Sequence, residues 1–491
     1  MNNYKFLPEL PVNLSQPAID QYREKVKLSN IDEQLYIDEI RKLQINPTSK
    51  KVVPMVAASA EFSHKSRSKV TEIFSEIIKN WLKIGEFEEA VVSEVLLYSS
   101  YLKRLETEHA YDDFFRKISS AYRQFLPNLS KASNDGKGFL FVLHTGVLLA
   151  HVNPLLTMLK TNGPENNKAA RIGVVVLGTV MRDFFEEFSG IGVELYSCNQ
   201  IKLTSEKIVF LEKIRLDHGY RHVIWQCLPV WLCFAERFVS NLSWWSVKFH
   251  PGIMGLNKYI GSLGGEEDFH LNGNYWDNFT APINILNLDS ALSINWQVRQ
   301  KKFGCFTRDE LIDNQLYWQD IQVILREFTD VEFHYTGRAR IHDKWIENDK
   351  DVLKRIKFLG WLGEPEKKIS EYAFLLDPYP LGHGNMTREA LAAQVPIVYP
   401  DEITKKANST IHKLLISNPD IQKEIYKSCL GKSLRTSYID NDELVKVCGL
   451  LLNDSAFNQS AGALYRSLVK SRTNRGAWSK FTNILEKDHH E

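Results

Sequence analysis

The sequence predicts an α/β protein in which two doubly wound domains, each built on a parallel sheet, follow an all-α N-terminal region. The main observation is that short buried-strand patterns alternate with amphipathic helical patterns from residue 138 to residue 399. A polar segment at 128–137 separates this alternation from the helical spacing that precedes it. A second alternating block begins near residue 283, which indicates two successive sheets.

The elements of the first half follow from this periodicity. Residues 1–134 are predicted to be helical, because 89–126 places apolar side chains at helical spacing with charged residues between them. Residues 135–282 form the first Rossmann-like domain, which we expect to be the acceptor side. Its predicted strands are 138–143, 172–177, 193–197 and 223–227, and its predicted helices are 147–160, 181–189 and 207–216.

The second Rossmann-like domain is predicted to span 283–454, and a helical tail at 455–491 follows it. Its predicted strands are 283–286, 332–335, 356–359, 373–376 and 397–399, with helices at 309–328 and 388–394. Two such domains would face each other across a ligand cleft at the carboxyl ends of their strands. Several classes of protein share this plan, so the plan alone does not name a function.

Composition excludes some functions and compartments. Hydrophobic residues make up 44% and charged residues 25% of the chain, as in packed globular proteins. The formal net charge of +1 supplies no global field for nucleic acid or an anionic membrane. The six cysteines form no Cys-x-x-Cys pair, and neither a signal peptide nor a membrane span is visible. We therefore expect a cytoplasmic protein with free thiols.

The most informative segment is 375–400, LLDPYPLGHGNMTREALAAQVPIVYP. A strand ends near Asp377, a loop with two glycines follows, and a helix opens near Asn385, whose side chain can cap it. Free N–H groups at a helix start and close backbone approach at glycines make a plausible diphosphate site. Glu389 lies one turn into the helix, where its carboxylate could accept hydrogen bonds from a ribose diol. An ordinary strand-to-helix turn with a surface glutamate is the alternative.

This segment resembles the donor site of the O-GlcNAc transferase-like glycosyltransferases, a family that includes the bacterial cytoplasmic N-glucosyltransferases and has the GT-B fold. The match covers most of 377–398, although Ala393 or Gln394 stands where the family has glycine. Two weaker similarities are KKFGCFTRDELID at 301–313 and KFHPG at 248–252. The tetratricopeptide repeats of many members are not evident in the N-terminal helices.

The resemblance implies a role for several residues. Asn385 would bind the diphosphate and Glu389 the uridine ribose, while Trp361 and Leu362 would border the uracil. His250 would lie in the cleft near the sugar and the acceptor. The remaining implied donor-binding residues belong to the loop and the helix start: Gly382, His383, Gly384, Met386 and Thr387.

One position departs from the family. The lysine that meets the diphosphate aligns with Leu311, so another cation must replace it if the protein is an enzyme. Arg308 could do so from a helix that begins near Thr307, where it would share a face with Leu311. Arg338, after the strand at 332–335, is the second candidate.

The mechanism expected from these residues is inverting. Retaining enzymes carry a second glutamate eight positions before the first, and Leu381 occupies that position here. A hydroxyl acceptor would need a general base, for which His250 is the first candidate and His144, after the first strand, the second.

No metal site is predicted. His218 and His222 are separated by Gly219 and the start of a strand, and Asp440 and Asp442 are better explained by helix capping. We therefore predict a metal-independent transferase that moves a hexose or N-acetylhexosamine from a UDP-sugar to a protein or glycan acceptor, with no other cofactor. The alternatives are a catalytically silent GT-B partner of an active glycosyltransferase, and a UDP-sugar epimerase.

Overall fold

A computed structural model describes most of the chain, and it divides into two compact units. Unit 1 comprises residues 1–147, 163–279 and 481–491, and unit 2 comprises 148–162 and 280–480. The described residues are 7–11, 13, 15–29, 31–59, 62–97, 110–126, 136–148, 152–162, 171–226, 229, 231–246, 252–262, 267–279, 282, 299, 301–337, 339–346, 349–360, 362, 366–379, 382–401, 410–429, 432–472 and 476–487.

The N-terminal part of unit 1 is helical, as predicted. Its helices are α1 (Gln16–Leu28), α2 (Glu33–Lys42), α3 (Ser49–Ala58), α4 (His64–Ile84), α5 (Phe87–Leu97) and α6 (Ala110–Phe125). Polar residues set their starts: the Asp32 side chain accepts a hydrogen bond from the Leu35 N–H at 2.8 Å. Gly85, with φ of 81°, ends α4 in the left-handed conformation that favours glycine.

The rest of unit 1 alternates strands and helices. In chain order these elements, with α7 in unit 2, are β1 (Gly138–Leu143), α7 (Asn153–Asn162), β2 (Ile172–Val176), α8 (Arg182–Ser189), β3 (Glu194–Ser197), α9 (Thr204–Asp217), β4 (Tyr220–Gln226), α10 (Leu232–Phe238), β5 (Leu242–Trp245), β6 (Tyr259–Gly261), β7 (Phe269–Leu271) and β8 (Asn274–Asn278). The strand order is β3-β2-β1-β4-β5-β6-β8-β7. All pairs are parallel except β7 with β8.

A single apolar core joins the N-terminal helices to this sheet. It runs from Ile19 through Tyr122 and Val142 to Trp276. Tyr122 on α6 meets Phe234 on α10 edge to face, with ring centroids 5.5 Å apart. The helical region therefore packs as part of unit 1.

Unit 2 contains a second parallel sheet. Its elements are β9 (Lys302–Cys305), α11 (Asp309–Ile312), α12 (Gln315–Glu327), β10 (Glu332–Tyr335), α13 (His342–Trp345), α14 (Lys350–Lys354), β11 (Ile356–Phe358), α15 (Glu366–Ile369), β12 (Phe374–Leu376), α16 (Asn385–Ala392), β13 (Ile397–Pro400), α17 (Thr410–Ile416), α18 (Pro419–Tyr426), β14 (Ser428–Cys429), β15 (Lys432–Ser433), β16 (Ser437–Tyr438), α19 (Asn441–Asn453), α20 (Ser455–Arg466), a 3₁₀ turn (Ser467–Arg472) and α21 (Ala477–Glu486), which ends in unit 1. The strand order is β11-β10-β9-β12-β13-β16, with every pair parallel. Phe303 pairs with Phe333 on one side and Phe374 on the other.

Apolar cores cover both faces of the second sheet. One contains Phe303, residues of α12 and residues of α19. The other contains Leu375, residues of α16 and residues of α17. Burial on both faces is why its strands are continuous apolar runs. The predicted fold class, two doubly wound Rossmann-like units with a helical N-terminal region, is confirmed.

Three predicted elements need correction. The helix predicted at 309–328 is two helices, because the Asn314 side chain accepts a hydrogen bond from the Leu316 N–H at 3.0 Å and starts α12 afresh. The helix predicted from 147 begins at Asn153, since Gly146 forms a bridge with Val180. The helix predicted at 388–394 begins at Asn385.

Other expectations concern boundaries and location. The strand predicted at 283–286 lies outside the described residues. The four-part division at residues 134, 282 and 454 stays a prediction. In the described part of the chain, no helix is long and apolar enough to cross a membrane.

Candidate functional site

The candidate site lies at the carboxyl ends of β9 and β12 in unit 2. The chain places β10 and β11 on one side of β9 and then crosses to place β12 on the other side. This reversal of strand order is a topological switch point, where doubly wound sheets leave a crevice for ligands. The described segments that enter it are 306–308 after β9 and 377–379 with 382–384 after β12.

Two glycines shape the loop after β12. Gly382 has φ of 68°, and Gly384 has φ of 65° with ψ of −123°. Residues with a Cβ atom rarely adopt either conformation, so the two glycines allow the chain to turn here. A Cβ at Gly384 would find no atom within 4 Å, which leaves open space beside the backbone at this point.

A buried pair, Asp377 and His383, closes the loop. The Asp377 carboxylate accepts from the His383 backbone N–H at 2.9 Å and contacts the ring Nδ1 at 2.8 Å. Burial alone would lower the pKa of His383, but Cys305 and Asp377 outweigh it and raise that pKa to about 9.

Helix α16 begins directly after this pair and has no side-chain cap. Its N-cap is Gly384, so the prediction that Asn385 caps the helix is wrong: Asn385 occupies the first helical position. Gly384 has no side chain that could bond the N–H groups of the first turn, so among the described residues these groups are available to a ligand. The Thr387 hydroxyl in this turn is buried and has no hydrogen-bond partner among the described residues. Glu389 follows at the next turn and is partly buried.

A second buried acid holds the loop from α12. The Asp320 carboxylate accepts from the Tyr379 hydroxyl at 2.8 Å and from the Tyr438 hydroxyl at 2.5 Å. The Asn314 side chain also donates to the Tyr379 carbonyl at 3.1 Å. Burial raises the pKa of Asp320, and the two tyrosine hydroxyls oppose that effect. Hydrogen bonds thus hold the loop at Asp377, Tyr379 and His383.

The structure places other predicted residues differently. Arg308 is exposed and extended, with φ of −81° and ψ of 151°, and it precedes α11. It therefore shares no helix face with Leu311, because α11 begins only at Asp309. Leu362 packs partly buried against the core that contains α16.

His144 belongs to unit 1. It follows β1 at the switch point of the first sheet, where β1 and β4 are neighbours. Its ring lies 5.5 Å from the Trp225 ring and 5.1 Å from the Trp231 ring, measured between centroids. His250, Arg338 and Trp361 lie outside the described residues, as does the side chain of Asn385.

The buried acids that hold the loop are not evident from the sequence pattern. The pattern marks Asp377 only as a strand end, although an aspartate and a histidine six positions apart flank the turn. Asp320 carries a clearer signal, because it is an acid on the apolar face of the helix QLYWQDIQVILRE. A charge at such a position indicates a buried polar partner.

The structure describes the residues that the sequence raised as possible metal ligands. Asp440 caps α19, since its side chain accepts from the Glu443 N–H at 2.9 Å, which confirms the capping interpretation. His218 follows α9 and His222 lies in β4, so no helix presents both. Among the described residues, no three His, Cys, Asp or Glu side chains are grouped to hold a metal ion.

Two Rossmann-like units are a plan that several classes of protein share, the GT-B glycosyltransferases among them. No protein-family model and no curated protein matches the sequence significantly. Among solved structures, a mutant of the Thermobaculum terrenum O-GlcNAc transferase is similar, with 12% identity, 96% coverage of each chain and a TM-score of 0.48.

Two further solved structures cover less of the chain. A mutant of S. aureus TarM, in complex with fondaparinux, alpha-GlcNAc-glycerol and UDP, has 10% identity and a TM-score of 0.48, covering 72% of this chain and 100% of its own. A glycosyltransferase from Rickettsia africae has 10% identity and a TM-score of 0.48, covering 72% and 98%. At identities of 10–12% and TM-scores of 0.48, these similarities say nothing about substrate or mechanism.

Proposed function

We propose that the protein is a glycosyltransferase that uses a UDP-sugar as donor. The observation that carries this proposal is the start of α16, which has no side-chain cap and follows a glycine loop held by the Asp377 carboxylate. Free N–H groups and the positive end of the helix dipole favour a diphosphate. Glu389, one turn further on, would accept hydrogen bonds from the ribose hydroxyls.

The reaction we propose is an inverting displacement. The acceptor atom attacks C1 of the sugar, the bond between C1 and the phosphate oxygen breaks, and its electron pair leaves with UDP. The start of α16 would stabilise the charge that develops on the diphosphate. A general base takes the acceptor proton, and His250 and His144 remain its candidates.

The sugar is proposed to be a hexose or N-acetylhexosamine, and the acceptor a protein side chain or a glycan. We propose that the reaction needs no metal ion, with the helix dipole and a cation in its place. Activity should therefore survive EDTA. Complete loss on chelation that Mn²⁺ reverses would contradict this part of the proposal.

The donor is tested by calorimetry. UDP should bind and raise the melting temperature more than GDP or CMP, and Glu389→Ala should weaken UDP binding by about 1.5–3 kcal/mol, as expected for hydrogen bonds to a charged group. Unchanged UDP affinity in a folded Glu389→Ala variant would show that Glu389 does not bind the ribose.

One observation favours a second candidate function. Leu311 lies in α11, directly beyond the switch-point segment, where the family resemblance calls for lysine. A protein without that charge could bind UDP-sugar without transferring it, and act as a silent partner of an active glycosyltransferase. UDP release that requires an acceptor supports transfer, binding without reaction supports the silent partner, and interconversion of UDP-sugars supports an epimerase.

A further inference from the structure

The proposed donor site contains a negative charge that a diphosphate would oppose. Asp377 is 1% exposed and directly follows β12, at the same sheet edge as the free start of α16. Like charges repel more strongly near a protein interior than in water, because the effective dielectric constant is lower. A bare carboxylate at this position would therefore weaken any anionic ligand of the loop.

His383 is placed to cancel this charge. Its Nδ1 lies 2.8 Å from an Asp377 carboxylate oxygen, and both side chains are almost completely buried. The other ring nitrogen, Nε2, is buried and has no hydrogen-bond partner in the described part of the chain. The Cys305 thiol also acts on the ring and helps to raise the pKa of His383.

We infer that His383 is a positioning residue whose proton makes the donor loop accept a nucleoside diphosphate, by neutralising Asp377 and holding the turn before α16. This inference rests on the proposed function. The side chain of His383 is buried, so it acts through the loop and does not touch the ligand. Its positive charge would make the loop less repulsive to a diphosphate. In the family, a lysine at the position of Leu311 would contribute positive charge to the same site.

Two titratable groups among the described residues act on this pair. One is Cys305 at the end of β9, and the other is Tyr317 on α12, whose hydroxyl donates to the Leu376 carbonyl at 2.9 Å. Burial raises the pKa of Tyr317, so its hydroxyl stays neutral across the range in which His383 titrates. With the pKa of His383 raised to about 9, the imidazolium is the form present at pH 7. As the pH rises through about 9 the proton leaves, and the imidazolium no longer offsets the charge of Asp377.

The test compares UDP with uridine by titration calorimetry. In His383→Asn the amide nitrogen can still donate to Asp377, but the positive charge is gone. UDP affinity at pH 7 should fall roughly ten- to a hundredfold, whereas uridine affinity should change little, because uridine carries no phosphate. The double variant Asp377→Asn/His383→Asn should regain most of the UDP affinity.

The parent protein supplies an independent check. Its UDP affinity should fall as the pH rises through about 9, and uridine is the matched control because both ligands carry the same titrating uracil. Equal UDP affinity in parent and His383→Asn, equal loss of UDP and uridine, or no recovery in the double variant would each overturn the inference. If His383→Asn does not fold, the pH titration of the parent decides. A parent that binds no UDP at all contradicts the proposed function itself, whereas a parent that binds UDP with no alkaline loss contradicts only the role of His383.

Discussion

At the scale of single residues, Glu94 illustrates how burial changes an acid. Helix α5 places it fully buried, and the Tyr122 hydroxyl donates to it at 3.2 Å. Desolvation raises the pKa of Glu94 to about 8, against the lowering effect of that hydrogen bond. Folding therefore requires the carboxyl to take up a proton at neutral pH. The protonated carboxyl of Glu94 contributes fully to the free energy of unfolding below about pH 4.5, and this contribution is lost as the pH rises through about 8.

Glu94→Gln should remove this pH dependence, because glutamine is neutral at every pH. The free energy of unfolding of the parent should fall between pH 5 and pH 8 by up to about 1.4 kcal/mol per pH unit more than that of the variant. Urea denaturation followed by tryptophan fluorescence measures the difference. Glu76→Gln on α4, whose side chain is 52% exposed, is the matched control and should keep the slope of the parent. Identical slopes for the parent and Glu94→Gln would show that Glu94 is ionised in the folded protein.

Arg308 is the residue to test for leaving-group stabilisation. It is exposed and follows β9 at the switch-point edge, although it does not lie on the helix that carries Leu311. Fixed positive charge near a departing diphosphate contributes roughly a few kcal/mol to catalysis. Arg308→Ala should reduce turnover by a factor of about ten to a thousand with a small loss of UDP binding, because the interaction strengthens as the bond breaks.

Arg338→Ala is the matched comparison, and steady-state kinetics of both variants identifies the partner as the one with the larger loss. Full turnover in both would leave the helix start, supported by His383, as the stabilising group. A parent protein that binds UDP but transfers nothing would instead support the silent-partner function.

At the scale of elements, the entry to α16 depends on the backbone of Gly384. Its φ of 65° with ψ of −123° lies in a region that residues with a Cβ adopt only under strain. Gly384→Ala meets no steric clash, since no atom lies within 4 Å of the added Cβ, so its effect is on the backbone. The change should cost about 1–3 kcal/mol of stability and also weaken UDP binding, as the first-turn N–H groups move.

Gly476→Ala is the control for this element, because Gly476 has φ of 79°, equally open space, and a position outside the donor loop. Both substitutions should lower the melting temperature in thermal unfolding. Only Gly384→Ala should lower the UDP affinity measured by calorimetry. Normal UDP affinity in the Gly384 variant would mean that this helix start does not bind the diphosphate.

At the scale of the whole molecule, helix α21 adds a buried aromatic side chain to the core of unit 1. α21 begins in unit 2 and ends in unit 1, where Phe481 is fully buried. The Phe481 ring lies 5.0 Å from those of Trp245 and Phe279 and 6.0 Å from that of Phe141. The first unit therefore includes residues from both ends of the sequence.

Phe481→Ala should lower the stability of unit 1 by about 3–5 kcal/mol, the usual cost of removing a buried aromatic ring. Differential scanning calorimetry would show this as a lower melting temperature. Phe185→Ala on α8 is the matched control, because that ring is 54% exposed, and it should change stability by about 0.5 kcal/mol or less. A similar effect of both substitutions would contradict the burial of Phe481 within unit 1.

Local patterns in the sequence were sufficient to predict much of the fold. The buried runs at β1, β2 and β12 are continuous and apolar, and the polar caps and glycines mark where chains turn. These features act within a few residues, so they can be read without knowing the tertiary structure. The glycine loop, the start of a helix close to Asn385 and the capping role of Asp440 belong to this group.

What the tertiary structure alone decided depends on residues far apart in the chain. The N-terminal helices could be predicted, but not that they share one core with the first sheet. The bond between Tyr438 and Asp320 joins residues 118 positions apart, and nothing local marks Tyr438 as its partner. Likewise, the local sequence does not reveal that the side chains of Asp377 and His383 form an ion pair and are both almost completely buried. Propensity and periodicity act locally, whereas burial, and the pKa shifts and hydrogen bonds that follow from it, arises only when distant segments pack.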